Sequence, residues 1–286
     1  MSNDTLEFRH ELTNGKPTKP KRRWLNYSLR TALLALTVLC IWLGLIVNRV
    51  NKQKQAIAWV REHGGTALYD FQWNERGFIT NGEPPGPDWL RERVGIDYFA
   101  DVAYVSLDKP EISDVDALAP LTEVRALYLR GTTVSDLSPL AKMTKMQQMD
   151  LSHTQVSDLS PLAGMQRLQV FYVHDTRVSD LSPLAKITGL KWLDIHDTQV
   201  SDLSPLAKMK EMQSLFLKNT PVTDLSPLAG MNGMCTLDLL NTHVSDLTPL
   251  LEMQWATIVL DSRQEVAIPP ELELQIQTRS SVNRKP

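Results

Sequence analysis

Apolar residues in the middle of the chain return in a fixed order every 22 positions. One set of slots holds Val124, Leu127, Leu129, Val134, Leu137 and Leu140. The next holds Met146, Met149, Leu151, Val156, Leu159 and Leu162, and the next Leu168, Phe171, Val173, Val178, Leu181 and Leu184. Each unit closes on the phrase Val-Ser-Asp-Leu-Ser-Pro-Leu-Ala, complete at 134–141 and again from Val156, Val178 and Val200. It is slightly altered from Val222 and Val244, and one period earlier it reads Ile112-Ser-Asp-Val-Asp-Ala-Leu-Ala. Seven units without an insertion predict a solenoid, because one unit alone cannot bury its apolar edge and a stack can.

Within a unit the period changes. Around Leu127 and Leu129 apolar and polar residues alternate, which predicts a short strand with those two leucines inward and Ala126, Tyr128 and Arg130 outward. Ser138 before Pro139 reads as a helix start, the hydroxyl accepting from an orphan N–H and the proline having no N–H to waste. Few residues remain before the next unit, so the turn is a single one of 3₁₀ type. Asp136, Asp158, Asp180, Asp202, Asp224 and Asp246 form a column in which each carboxylate is expected to accept from its own turn. With no second column of ligands, calcium is not favoured there.

The run Leu-x-Leu-x-x-Thr-x-Val-Ser-Asp-Leu-Ser-Pro-Leu-Ala, for example 127–141, resembles the bacterial leucine-rich repeat, most closely the internalin-like 22-residue type. The resemblance covers about residues 105–262. It implies a parallel β-sheet on the concave side, short turns or 3₁₀ on the convex side, and protein binding on the sheet. One departure is systematic. Thr132, Thr154, Thr176, Thr198, Thr220 and Thr242 stand where the family usually has asparagine bonding between coils. A threonine hydroxyl both donates and accepts, so a threonine ladder is expected in its place.

Ahead of the repeats the pattern changes. Residues 31–48 hold eighteen positions without a charge. At 1.5 Å each that is about 27 Å, enough for a hydrocarbon core with help from the flanks. Trp24 and Tyr27 suit the interface. The run ends Ile46-Val47-Asn48-Arg49 with no small-x-small site, and a long charged leader precedes it. Both favour a retained signal anchor over a cleaved signal peptide. Cys40 lies in mid-span, where N-terminal lipidation is not expected. Lys16, Lys19, Lys21, Arg22, Arg23 and Arg30 flank the span on one side, against Arg49, Lys52, Lys54 and Arg61 on the other. This bias puts the N-terminus in the cytoplasm and the repeats outside the cell membrane.

The expected organisation is a basic, largely disordered tail at 1–30, a transmembrane anchor at 31–49, and a juxtamembrane helix with N-terminal cap at 50–104. The solenoid follows at 105–262 and a C-terminal cap and tail at 263–286. Inside the first cap, 51–63 reads as a helix stopped by Gly64-Gly65, 67–73 as an alternating strand, 74–80 as a hairpin and 88–94 as a short helix. The residues of 66–104 are expected to cover the first coil. In the second cap, 271–277 reads as extended.

Charge is uneven. Residues 1–60 carry ten Lys/Arg against three Asp/Glu, and residues 105–260 carry twelve against eighteen. The acidic repeats argue against nucleic acid as their ligand. Cys40 and Cys235 fall in different compartments on this topology, so no internal disulfide is expected.

The outward slots supply the candidate chemistry. One column reads Tyr128, Asp150, Tyr172, Asp194, Phe216, Asp238, and the next reads Arg130, Ser152, His174, His196, Lys218, Leu240. Exposed aromatics among a few charges suit a binding face. The expected contacts are Tyr128, Arg130, Asp150, Tyr172, His174, Asp194, His196 and Phe216, and the expected partner is a protein or an envelope polymer. The alternative is a structural scaffold or spacer of the envelope with no dedicated ligand. Adjacent His174 and His196 with carboxylates nearby can hold zinc. Outward strand residues on a shallow face diverge, however, so neither a metal nor a cofactor is expected. No phosphate loop, zinc-protease helix, paired-cysteine motif or nucleophile elbow is present, so an enzyme is not expected.

Overall fold

The computed structural model describes residues 29–74, 77–79, 82–252, 257–261, 266 and 268–279; most of the basic tail, at 1–28, and the chain end at 280–286 lie outside them. Two compact units, Met1–Leu45 and Ile46–Pro286, are described separately.

The helix α1 (Leu29–Glu62) joins two elements read apart in the sequence, the apolar run and the helix at 51–63. Its apolar window has a mean hydropathy of 2.2 with none of it buried, and the helix is long and apolar enough to cross a membrane. In the second unit Val50, Ala56, Ile57 and Val60 of this helix are buried, and the last three join the solenoid core. Polar contacts fix this stretch. Arg49 lies 3.1 Å from Asp101, and Gln53 donates to the Asp97 carboxylate (3.2 Å) and the Ala100 carbonyl (2.9 Å). The Tyr69 hydroxyl donates to the same Asp97 oxygen at 3.0 Å, and its phenol is pushed well up, by burial first and by the Asp97 charge next.

After α1 come β1 (Thr66–Tyr69), β2 (Trp73–Asn74), β3 (Gly77–Phe78), α2 (Asp88–Val94) and β4 (Val102–Ser106). The alternating stretch expected at 67–73 is not one strand. A 3₁₀ turn at Asp70–Gln72 breaks it, with the Tyr69 backbone N–H donating to the Gln72 side chain. The repeats then supply β5 (Ala126–Tyr128), β6 (Gln148–Asp150), β7 (Val170–Tyr172), β8 (Trp192–Asp194), β9 (Ser214–Phe216) and β10 (Thr236–Asp238). Beyond them lie β11 (Thr257–Asp261) and β12 (Ile276–Arg279). Ten of these strands form one sheet in the order β1-β4-β5-β6-β7-β8-β9-β10-β11-β12, with β1 antiparallel to β4 and the rest parallel. Register holds at one period throughout: Leu127 pairs with Met149, Met149 with Phe171, Phe171 with Leu193, and Leu193 with Leu215. The extended stretch expected at 271–277 is corrected, because Pro270–Gln275 is 3₁₀ and the strand starts only at Ile276. Pro269 and Pro270 have no N–H to give a ladder, which favours the turn there.

The apolar slots form one continuous core. Leu127, Leu129, Met149, Leu151, Phe171, Val173, Leu193 and Ile195 are all buried, as are Val134, Leu137 and Leu140 and their counterparts. Opposite the strands each coil makes a short 3₁₀ turn, at Ser138–Leu140, Ser160–Gly164, Ser182–Leu184, Ser204–Leu206, Ser226–Leu228 and Thr248–Leu250.

Two polar columns differ from expectation in detail. The serine hydroxyl does not cap its own turn. Ser138 N–H and Oγ–H both donate to Asp136 Oδ1, at 2.8 and 2.6 Å, and the same pair of bonds joins Ser160 to Asp158 and Ser182 to Asp180. The aspartate supplies the cap. The threonine ladder is also corrected. Thr154 Oγ1 donates to Leu151 O (2.6 Å), Thr176 to Val173 O (2.7 Å) and Thr198 to Ile195 O (2.6 Å), each three residues back in its own coil. At these buried slots the carbonyl three residues back lies within reach of the hydroxyl and takes its proton, whereas Thr133, one position on, does reach the preceding coil, at Pro110 O (3.1 Å) and Ile112 O (3.2 Å). In the coils that follow, backbone makes the link, as in Gln155 N–H to Val134 O (3.0 Å) and Arg177 N–H to Val156 O (3.0 Å).

The capping carboxylates make stability depend on acid. The hydroxyl and backbone bonds from Ser138, Ser160, Ser182 and Ser226 hold Asp136, Asp158, Asp180 and Asp224 below the usual carboxylate range, and Thr248 does the same for Asp246. A pKa lower in the folded than in the unfolded chain stabilises above the unfolded value, and the gain is lost as pH falls through the folded one. The thermal midpoint by circular dichroism should therefore fall steadily below about pH 4. The triple variant Asp158→Asn, Asp180→Asn and Asp224→Asn keeps an acceptor at each turn but no titration, and its midpoint should fall less steeply over that range. An unchanged slope would remove these caps from the acid response.

Candidate functional site

The outward face of the sheet is not open along its whole length. Leu68 and Trp73 lie over Ala103 and Ala126, so Ala126, expected outward and exposed, is fully buried. Tyr104 and Tyr128 pack at the edge of that patch, with ring centroids 5.4 Å apart. Tyr128 is thus half-buried, and its hydroxyl donates to Gln148 Oε1 at 2.8 Å.

Farther along, Tyr172, Trp192 and Phe216 form one row, with centroids 6.2 Å apart for the first pair and 5.1 Å for the second. All three are partly exposed. Trp192 is not among the residues expected from sequence. It sits one slot before the inward Leu193, in the column Ala126, Gln148, Val170, Trp192, Ser214, Thr236. Extending the alternation one residue backwards in every coil would have found it. Its indole N–H is buried and has no hydrogen-bond partner among the described residues. Burial, and secondarily nearby Asp150 and Asp194, push the Tyr172 phenol up, so it stays a neutral donor at physiological pH.

The aspartates alternating with the aromatics are partly engaged. Asp150 Oδ1 accepts from Ser152 N–H (2.9 Å) and Oγ–H (2.5 Å), and Asp238 Oδ1 accepts from Leu240 N–H (2.9 Å). Asp194 Oδ1 accepts from His196 N–H at 3.2 Å and lies 2.5 Å from His196 Nδ1. These carboxylates close the turn that ends each strand. Arg130 is exposed, but the buried Ser152 separates it from the histidines, so it does not join them.

His174 and His196 are stacked, with centroids 4.0 Å apart and planes 14° from parallel. His153 meets His174 edge-on at 4.9 Å, and its Nδ1 is 2.6 Å from Asp175 Oδ2. His153 is a second residue that the sequence reading misses. It occupies the column Gly131, His153, Asp175, Asp197, Asn219, Asn241, whose backbone is left-handed in every coil, with φ 58° at His153 and 53–55° at the next four. Glycine, asparagine and aspartate suit that conformation, and histidine too is enriched there over other residues. Burial first, and the His196 charge next, lower His174 below the ordinary imidazole range. At His196 burial opposes charging, but the Asp194 hydrogen bond and the Asp194 and Asp197 charges outweigh it and raise the imidazole. The divergence expected of outward side chains fails here. Ligand atoms of His174, Asp194 and His196 all lie within 4.8 Å of one another.

A family model described as leucine-rich repeats, two copies, matches residues 188–230. Among solved structures the chain is similar to internalin C2 of Listeria monocytogenes at 26% identity and a TM-score of 0.48, over 57% of this chain and 86% of that one. It is likewise similar to an internalin, InlF, of the same organism at 27% identity and a TM-score of 0.49, over 59% of each chain. No curated protein matches it significantly. Residues 188–230 thus match leucine-rich repeats, and the coils on either side repeat the same strand backed by a short 3₁₀ turn at the same period.

Proposed function

We propose that the open part of the sheet face, from β6 to β10, recognises a protein or an envelope polymer, and that residues 31–49 anchor it to the cell membrane with the repeats outside the cytoplasm. The observation that carries this reading is the row Tyr172–Trp192–Phe216. Three large aromatic rings stand partly exposed on a sheet whose inward leucines already close the core. Exposed contiguous aromatics on a rigid support mark interaction sites more often than not. Asp150, His174, Asp194 and His196 border the row and supply hydrogen bonds and charge at its rim, with Tyr128 and Arg130 in the β5 coil at the edge of the open face. The exposed apolar helix and the excess of basic residues on its N-terminal side support the anchor and its orientation.

Site-specific photo-crosslinking in intact cells tests this. A benzophenone amino acid placed at Tyr172 or Phe216 should give a discrete crosslinked species, and one placed at Lys186, on the opposite side of the solenoid, should not. The species should fade when Trp192→Ala is added. Equal labelling from both sides, or none from the sheet, favours the alternative of an envelope spacer without a dedicated ligand.

A further inference from the structure

We infer that His174, His196 and Asp194 form a binding site for a divalent transition metal of the zinc class. The inference does not depend on whether the sheet face binds a partner. Repeat geometry brings these groups together. His174 and His196 hold the same slot in neighbouring coils, and Asp194 precedes His196 by two residues on the same strand face. Parallel strands fix the two histidine backbones about 4.8 Å apart. Two imidazole nitrogens and one carboxylate oxygen within 4.8 Å of each other make a three-ligand set of the kind zinc uses when a fourth position stays open to water or a ligand.

Three further observations support a metal over a chance meeting of side chains. His174 Nδ1 is buried and has no hydrogen-bond partner among the described residues, so one imidazole nitrogen of the group is unsatisfied. His196 Nδ1 already faces Asp194 Oδ1 at 2.5 Å, which marks the position a cation would take in place of the shared proton. Its other nitrogen lies 3.7 Å from Asp197 Oδ2, beyond hydrogen-bond distance but near enough for a small side-chain rotation to make the carboxylate contact that orients a metal-bound imidazole. Ligand atoms around tetrahedral zinc lie roughly 3.4 Å apart, given bonds of about 2.1 Å. Reaching that spacing takes side-chain rotation of partly exposed rings, with the His196–Asp194 pair opening and the His174–His196 stack tilting. The strands themselves need not move. Two nitrogens and one oxygen select zinc, nickel, cobalt or copper over calcium and magnesium, which demand more oxygen ligands. Binding is coordination only, and the proton shared by His196 and Asp194 is released to solvent.

The test is titration of the full-length chain in detergent with zinc chloride by calorimetry, and with cobalt(II) by visible absorption. One equivalent should bind, the cobalt bands should show nitrogen and oxygen ligation without a thiolate charge-transfer band, and excess calcium or magnesium should not compete. His174→Ala and His196→Ala should each weaken binding by more than about a hundredfold, beyond the usual cost of losing only an outer-shell partner. His243→Ala should leave it unchanged. Melting in chelator checks that each variant folds. Should a histidine variant fail to fold, carbethoxylation of the unaltered chain serves instead, and zinc should protect His174 and His196 but not His243. The inference is overturned by no saturable binding, by thiolate bands, by binding that survives loss of both histidines, or by equal carbethoxylation with and without zinc.

Discussion

Phe171→Ala should lower stability by about 3–5 kcal/mol, whereas Tyr172→Ala, its immediate neighbour, should cost less than about 1 kcal/mol. Phe171 is the largest of the fully buried side chains among the described residues and stands in β7, midway along the sheet. In the inward column it sits between Met149 and Leu193, its register partners in the adjacent strands. Removing the ring leaves a cavity that flanking coils cannot fill, because the backbone ladder fixes their spacing. Tyr172 points the other way, so its loss removes contact area that water already shares. For a chain of this size the first change amounts to a fall in thermal midpoint of roughly 10 °C. In a linear stack the weakened interfaces are local, so amide exchange should accelerate first around β6, β7 and β8. Similar costs for both variants would mean that the two faces of the strand are not distinguished as described.

The repeated part of the fold was legible because every coil restates the same constraint. Period, strand position and inward slots each recur seven times and the proline-led turn six times, and a pattern that must be self-consistent between neighbours leaves little freedom. Features that occur once were harder to read. The 3₁₀ break at Asp70–Gln72 follows from a local bond of Gln72 to the Tyr69 backbone, which no periodicity announces. The burial of Ala126 depends on Leu68 and Trp73, which come from another part of the chain. The threonines were right in place but wrong in partner, since a sequence column does not show which carbonyl a hydroxyl faces; the buried slots find one in their own coil and Thr133 finds one in the coil before.

The candidate site divides in the same way. Tyr172 and Phe216 follow from simple alternation, and so do His174 and His196. Trp192 escapes because the slot it fills is introduced by the small Ala126 in the first coil, and nothing there suggests a large ring later. His153 escapes because it occupies a left-handed turn position that alternation does not describe. The meeting of His174, Asp194 and His196 depends on side-chain rotation, and a sequence column gives only which residues are neighbours.

The second large effect comes from changing the length of the stack. Deleting residues 178–199 removes one full period of 22 and joins Arg177 to Val200, whose surroundings repeat those of Val178. Strand still meets strand and turn meets turn, with one fewer interface between coils. Deleting only 178–188 removes half a period and sets every later residue out of phase, driving polar side chains into slots now held by Leu193 and Ile195. Far-UV circular dichroism of the full chain in detergent during denaturant titration separates the two. The full-period deletion should keep one cooperative transition at a modestly lower midpoint, and the half-period deletion should lose the transition. Equal tolerance of both deletions, or equal collapse, would contradict a solenoid held together by coils of one length.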